Sequence, residues 1–298
     1  MSAPPLTVVC VVHDSAPDLE RLLGSIERHL PERPQLVVAD SGSRDDGATV
    51  ARAHGAEVVV LEGNPGFGAG SNAGVRRASA EVTALLNPDV ELLDDGLLRL
   101  AELARERDVI VAPRLLGNDG RPQDSAHPRA GTLDALGPAL LPRRLLPPGL
   151  RVRAEPWRSE LPRPVGWAIG ACLVARTALL RRLGPFDAEA FLFYEDLELC
   201  LRAERAGVPV WLHPEVALRH RGGTSTNPAL GGEALGLRAR RRREVMAREG
   251  RARLALDDAA QALTFATRAA GRRLTGRGGQ RERAQLQALL RARSAPPG

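Results

Sequence analysis

The feature that most restricts this chain is the alternation of short apolar runs with helical patterns over its first 112 residues. Leu6–Val12, Gln35–Ala39, Glu57–Leu61, Val82–Leu86 and Val109–Ala112 have the length of strands and are rich in Val or Leu. Runs that are apolar throughout suit strands covered on both faces. Between them lie helical periods. Ser15 ahead of Pro17 suits a helix start, and Leu19, Leu22, Leu23 and Ile26 make one apolar stripe. Leu97, Leu98, Leu100 and Leu103 repeat the pattern within Asp94–Glu106. Such alternation predicts an α/β fold with a mostly parallel central sheet flanked by helices.

Residues 117–164 break the pattern. They are rich in Pro, Gly and Arg with little periodicity, which predicts a long loop or partly ordered excursion. Regular structure is expected again at Val165–Val174, in a helix near Thr177–Leu183, and in a helix from about Glu195 that turns Leu197, Cys200 and Leu201 inward. Val208–Leu212 and Glu215–His220 read as two short strands, Arg-rich helical segments follow Gly223, and Ser294–Gly298 reads as disordered. At 298 residues, the chain is long enough for one large domain with an appendage. The expected division is a domain over residues 1–230, with halves at 1–112 and 113–230, and a helical, basic extension over 231–298.

All 42 basic residues are arginine. Residues 1–230 hold 26 of them against 30 acids, a net of −4, whereas 231–298 hold 16 against 6, a net of +10. The positive charge therefore belongs to the tail, which suits an anionic membrane surface or nucleic acid. The acidic main region and the scarcity of aromatics in the tail argue against nucleic acid. A solvated helical surface of biased composition explains the tail equally well. No apolar run is long enough to span a bilayer, and the N-terminus lacks the pattern of a signal peptide. Cys10, Cys172 and Cys200 are far apart and read as small buried hydrophobes in a reducing cytoplasm.

Four predicted strands end in short polar or glycine-containing turns: Val12-His13-Asp14-Ser15, Asp40-Ser41-Gly42-Ser43, Gly63-Asn64-Pro65-Gly66-Phe67-Gly68-Ala69-Gly70-Ser71-Asn72, and Asn87-Pro88-Asp89. Open α/β sheets bind ligands at such ends. Asp40 alone is more simply an ordinary turn acid; aimed into the crevice, it would accept hydrogen bonds from a base or ribose. The glycine run reads equally as a flexible connection or as backbone approaching a ligand before a helix near Ser71. It follows the third strand and lacks the spacing of a dinucleotide fingerprint. Asp89 suits Mg²⁺ or Mn²⁺ bound to a diphosphate. His220 is a candidate second ligand, although a lone strand-end His is more often structural.

Four of the nine aromatic residues fall between Phe186 and Tyr194, directly before Glu195-Asp196. Helix capping and a core cluster would explain each feature separately. Together they describe a dry wall beside carboxylates that a helix N-terminus keeps ionised, one of them available as a general base.

These segments, with Gly170-Ala171-Cys172, Gly184-Pro185-Phe186-Asp187, Phe191-Leu192-Phe193-Tyr194-Glu195-Asp196-Leu197-Glu198-Leu199-Cys200 and His220-Arg221-Gly222-Gly223, resemble family 2 glycosyltransferases of the rhamnosyltransferase-like bacterial branch. The resemblance runs from about Leu6 to Thr226, in the family's order. It implies a GT-A fold and inverting transfer. It makes Asp89 the metal-binding acid of an Asp-x-Asp-like motif, with Asn87 in place of the first acid, and His220 a residue that completes the metal site. Asp196 becomes the base, supported by Glu195. The donor-binding set it implies comprises Val12, His13, Asp14, Asp40, Gly42, Ser43, Asn64, Gly66, Gly68, Asn72 and Asn87. The family usually has Thr-Tyr-Asn where this chain has Val12-His13-Asp14, and an ionised Asp14 can only accept hydrogen bonds.

The resemblance implies a nucleoside diphosphate-sugar donor, with dTDP-rhamnose favoured, and a cell-envelope or polyprenyl-linked saccharide acceptor. Trp167 is a candidate for sugar stacking, or equally a core residue. The expected location is cytoplasmic, with peripheral contact at the inner face of the cell membrane through the basic tail. A nucleotidyltransferase acting on a sugar phosphate ranks lower, because no glycine-rich, basic triphosphate loop lies near the first strand.

Overall fold

A computed structural model describes residues 6–136, 147–184, 186–187, 192–222, 233–276 and 278–294. In chain order the elements are β1 (Thr7–Val12), α1 (Ala16–His29), β2 (Gln35–Asp40), α2 (Gly47–Ala53), β3 (Glu57–Val60), α3 (Phe67–Arg77), β4 (Val82–Leu86), β5 (Val90–Leu92), α4 (Gly96–Glu106), β6 (Ile110–Leu116) and β7 (Ala126–His127). They continue with α5 (Pro148–Ala154), β8 (Arg163–Val165), β9 (Trp167–Ala168), β10 (Cys172–Arg176), α6 (Thr177–Leu183), α7 (Glu195–Arg205) and β11 (Val210–His220). The helices α8 (Ala234–Ala247), α9 (Arg251–Leu274) and α10 (Gln280–Ser294) complete the set. Of the end expected to be disordered, Ser294 is instead the last residue of α10, and residues 295–298 lie outside the described residues, as do Pro185, Phe191 and Gly223.

The main sheet runs β3-β2-β1-β4-β10-β6-β11-β5, with β8 beside β11. Its first four strands are parallel, as the alternation predicts. Beyond β4 it becomes mixed: β10 is antiparallel to both β4 and β6, β5 and β8 are antiparallel to β11, and β6 and β11 are parallel. "Mostly parallel" thus describes only the first part. The reason is β10, which returns after the excursion and enters between β4 and β6 in reverse. The two short strands expected near the end of this region are one strand, β11, bulged between His213 and Ala217.

Every residue of β1 is buried, and Leu19, Leu22, Leu23 and Ile26 of α1 reach the core beneath it. Leu197, Cys200 and Leu201 of α7 are buried as their spacing predicts. β3 lies at the sheet edge, leaving Val60 62% exposed. All three cysteines are buried and reduced, with burial raising each thiol pKa, that of Cys200 to about 12.

α3 starts at Phe67, four residues before the helix start expected near Ser71. Gly63 and Gly66 precede the helix, whereas Gly70, with Gly74 one turn on, is a helical residue packed on β1. A Cβ on Gly70 would meet Val11 Cγ1 at 2.6 Å, and one on Gly74 would meet Val9 Cγ1 at 2.2 Å. Their missing side chains let helix and strand approach.

The described residues form two compact units. The first takes those up to Ala126 and those of Trp157–Thr226; the second takes those of His127–Pro156 and Asn227–Gly298. Within the second unit α8, α9 and α10 pack together, and part of the Pro- and Arg-rich excursion joins them. Arg253 donates to the Ala130 carbonyl at 3.0 Å, and Gly131 (φ +68°) sits where a Cβ would be 2.5 Å from the Arg253 carbonyl oxygen.

Candidate active site

The turns after β1, β2 and β3 are tied to one another. The Val12 carbonyl accepts the Ser41 N–H at 2.9 Å, and the Ser41 carbonyl accepts from His13 Nδ1 at 2.9 Å. The Asp14 N–H donates to Ser43 Oγ at 3.2 Å, while the Arg44 N–H donates to Asp14 Oδ1 at 2.6 Å. That backbone N–H holds the Asp14 carboxyl below the usual carboxylate range. Asp40 is buried and accepts the Ser43 N–H at 2.9 Å. Ser41 Oγ donates to Asn64 Oδ1 at 3.0 Å. Gly42 has φ +72°, and a Cβ there would come within 2.1 Å of the Gly63 carbonyl oxygen. Only glycine fits this crossing of two turns.

The glycine run also reaches toward the aromatic segment. Gly66 takes φ +93° immediately before α3. Asn72 clamps Phe186 at both main-chain groups: Nδ2 donates to its carbonyl at 2.9 Å, and Oδ1 accepts its N–H at 3.1 Å. A Cβ on Gly68 would meet the Asp187 carbonyl oxygen at 2.8 Å. Phe67 and Phe186 stack edge to face with centroids 5.3 Å apart.

Asp89 follows β4 and meets the end of β11. It is buried, its Oδ2 accepts the Gly222 N–H at 3.0 Å, and its own carbonyl accepts the Arg221 N–H at 3.0 Å. His220 Nε2 lies 3.4 Å from Asp89 Oδ1. Gln123, which the sequence reading does not single out, fixes the ring. Its Nε2 donates to the His220 carbonyl at 2.7 Å, so its Oε1 must be the acceptor for Nδ1 at 2.8 Å. Nδ1 therefore carries a hydrogen, and Nε2 faces a carboxylate oxygen, where a neutral ring would present its lone pair. Two acceptors facing each other suit a shared cation. The donor set, one hard carboxylate and one imidazole, would suit Mg²⁺ or Mn²⁺. Among the described residues no three His, Cys, Asp or Glu side chains form a metal-holding group.

Glu195 and Asp196 open α7, where the N-terminal dipole favours anions. Asp196 Oδ2 accepts the Gly170 N–H at 2.8 Å, and Oδ1 accepts the Leu197 N–H at 2.7 Å. Gly170 has no Cβ, and one placed there would stand 3.5 Å from Asp196 Cβ and 3.6 Å from Phe67 Cε1. Glu195 is buried. Trp167 is also buried, edge to face with Tyr194 at 6.3 Å, so the core reading of this tryptophan fits its place. Glu198 pairs with Arg202, which also donates to the Leu183 and Gly184 carbonyls and fastens α7 to the end of α6.

The structure links the two carboxylate groups through the main chain. The Asn87 N–H donates to the Ala171 carbonyl at 3.0 Å, two residues before Asp89. The neighbouring Gly170 N–H reaches Asp196. Among the described residues the non-glycine positions with left-handed backbone are Asp14, Phe193 and Tyr194 (φ +48°, +76° and +65°). One lies in the first turn of the rim and two immediately precede Glu195. Such conformations cost on the order of 1–3 kcal/mol each and gather at functional sites. This strain marks the site independently of the sequence motifs.

The glycosyl transferase family 2 model matches residues 7–167. An N-acetylglucosaminyl-diphospho-decaprenol L-rhamnosyltransferase of Mycobacterium tuberculosis is 29% identical over 247 residues, covering 75% of this chain and 79% of that protein. The low-salt glycan biosynthesis hexosyltransferase Agl10 of Haloferax volcanii is 25% identical over 211 residues, covering 69% of this chain and 63% of its own length. Among solved structures, the mannosyltransferase PcManGT from Pyrobaculum calidifontis, in complex with GDP-Man and Mn²⁺, superposes with a TM-score of 0.61 at 18% identity, covering 98% of this chain and 86% of that one. That likeness shows a GT-A-like fold. With the family model spanning more than half of its residues, this chain belongs to glycosyl transferase family 2.

Proposed function

We propose that this glycosyltransferase works by inverting, metal-assisted transfer of a sugar, with rhamnose favoured, from a nucleoside diphosphate to a cell-envelope or lipid-linked saccharide. The observation that carries the reading is the link from Asn87 through Ala171 and Gly170 to Asp196. It supports a diphosphate-holding acid and a proton acceptor facing the same substrate. A bound Mg²⁺ or Mn²⁺ would supply neutralisation of the departing diphosphate. Asp89 and His220 would hold it, and Gln123 would keep the ring turned toward it. Asp196 takes the proton of the acceptor hydroxyl as that oxygen attacks the anomeric carbon, and the nucleoside diphosphate leaves from the opposite face. The turns at Val12–Asp14, Asp40–Ser43 and Asn64 hold the base and ribose. Phe67 and Phe186 keep water from the reacting carbon.

The rhamnosyltransferase relative supports rhamnose and a polyprenyl-diphosphate-linked acceptor; a dTDP donor and action at the inner face of the cell membrane complete the proposal. The test is a thermal-shift screen of dTDP-, UDP- and GDP-sugars with and without Mn²⁺. Stabilisation grows as RT ln(1 + [L]/Kd), so the true donor should stand out, and only with metal. Failure of every sugar nucleotide to stabilise the chain, or turnover of a nucleoside triphosphate with release of diphosphate, would overturn the reading.

A further inference from the structure

The second unit carries its charges in an unusual way. Asp257, Asp258 and Glu282 are the only acids between Arg251 and Ser294, and all three are buried. Asp257 takes a two-pronged bond from Arg242, Asp258 pairs with Arg243 and Arg293, and Glu282 pairs with Arg272. The inner side of α9, which holds Asp257, Asp258 and Gln261, is therefore polar. Its opposite side is apolar. Ala252, Leu256, Ala259, Leu263, Ala266 and Ala270 recur at steps of three and four residues and share one stripe. The four alanines are exposed and the two leucines half-buried. Leu274 at the end of the helix is 88% exposed, and Leu133, on the short turn packed against α9, is 73% exposed. Arg251 and Arg273 are exposed toward the flank of this stripe, Arg268 falls on the side of Asp257 and Gln261, and α9 presents no acid to solvent.

We propose that the outer stripe of α9 docks on an anionic lipid surface. The helix would lie in the plane of the interface, with leucines and alanines in the acyl boundary and arginines among the headgroups. Charge chooses this occupant over a second copy of the chain. A two-fold pairing along the stripe would set arginines against arginines, with no exposed acid on either helix to answer them. Lipid phosphates supply that partner. The inference is independent of the transfer mechanism and would stand if that mechanism were wrong.

The test is flotation of the full chain with phosphatidylcholine vesicles and with vesicles containing equal phosphatidylglycerol. The expected result is binding to the mixed vesicles at low salt, weakened by high salt. Ala266→Glu, at an exposed position, lowers that binding by about tenfold or more with an unchanged melting temperature. Arg251→Glu with Arg273→Glu lowers it and flattens the salt dependence. Absence of binding at low salt, or equal binding by Ala266→Glu, overturns the proposal. So does sedimentation showing a dimer that Ala266→Glu splits, since a second copy would then cover the stripe.

Discussion

Gln123 grips His220 at two points, with its amide nitrogen on the backbone carbonyl and its amide oxygen on Nδ1, across 97 positions of sequence. One side chain thereby sets both the place and the tautomer of the imidazole. Gln123→Leu should weaken Mn²⁺ binding by about 10–100-fold, the usual cost of losing an outer partner of a ligand. Manganese titration followed by electron spin resonance measures this, and the nitrogen-15 shifts of the His220 ring report the tautomer. Unchanged affinity with unchanged shifts would reduce Gln123 to a packing residue.

Asp196→Asn keeps an oxygen for the Gly170 N–H, so the local structure should survive. It removes the proposed proton acceptor. Turnover should fall by about 10²–10⁴, while donor affinity, measured by calorimetry with Mn²⁺ and a non-transferable sugar nucleotide, stays within a few-fold. Wild-type turnover in a folded variant would give the base role to another residue.

Gly74→Ala sets helix propensity against packing. Alanine gains about 1 kcal/mol in a helix interior. Its methyl, however, would stand 2.2 Å from Val9 Cγ1, on a fully buried strand. Overpacking of about 1–3 kcal/mol should win, and the urea midpoint should fall. A rise in the midpoint would mean that α3 can move away from β1.

Arg242→Met leaves the Asp257 carboxylate, 2% exposed, without its two-pronged partner. Losing one member of a buried pair costs about 3–5 kcal/mol, whereas replacing both by apolar residues is often neutral. Urea unfolding should therefore show a large loss for Arg242→Met and recovery of most of it in Arg242→Met/Asp257→Leu. Equal losses in both would refute the claim that desolvation of the orphaned acid dominates.

Partial burial tends to lower the pKa of His54, but hydrogen bonds to Glu27 and Glu20 outweigh it and raise the value. A raised folded pKa contributes stability below the unfolded value of about 6.5 and loses it as pH climbs through the folded value. His54→Gln should therefore be less stable than wild type near pH 5.5 and closer to it near pH 9. A stability difference that does not change with pH would show that the charge on His54 is irrelevant.

The sequence reveals local elements better than their partners. Valine and leucine runs locate β1, β2 and β4, because burial on both faces leaves a mark in each run separately. The place of β10 is not legible, since nothing in Cys172–Arg176 says that its neighbours are β4 and β6. Pro214 makes β11 look like two strands, because a bulge and a break look alike in a string of letters. Gly70 and Gly74 stand one helical turn apart and could have been read as a close helix–strand contact.

At the candidate site, the acids and the histidine stand out because their chemistry is unusual at strand ends. Gln123 does not. It is an ordinary polar residue in a Pro- and Gly-rich stretch, and only the fold brings it to His220. The left-handed conformations of Phe193 and Tyr194 are likewise invisible in sequence, since neither residue type favours them.

Gly170 and Ala171 are consecutive, and their peptide groups serve opposite partners: one reaches toward Asp196, the other toward the strand end that carries Asp89. On the proposed mechanism, this stiff strand entrance acts as a ruler between the leaving group and the incoming hydroxyl. Insertions or exchanges in the surrounding turns can change which sugar or acceptor is held without altering that interval, whereas a one-residue slip of β10 would abolish it.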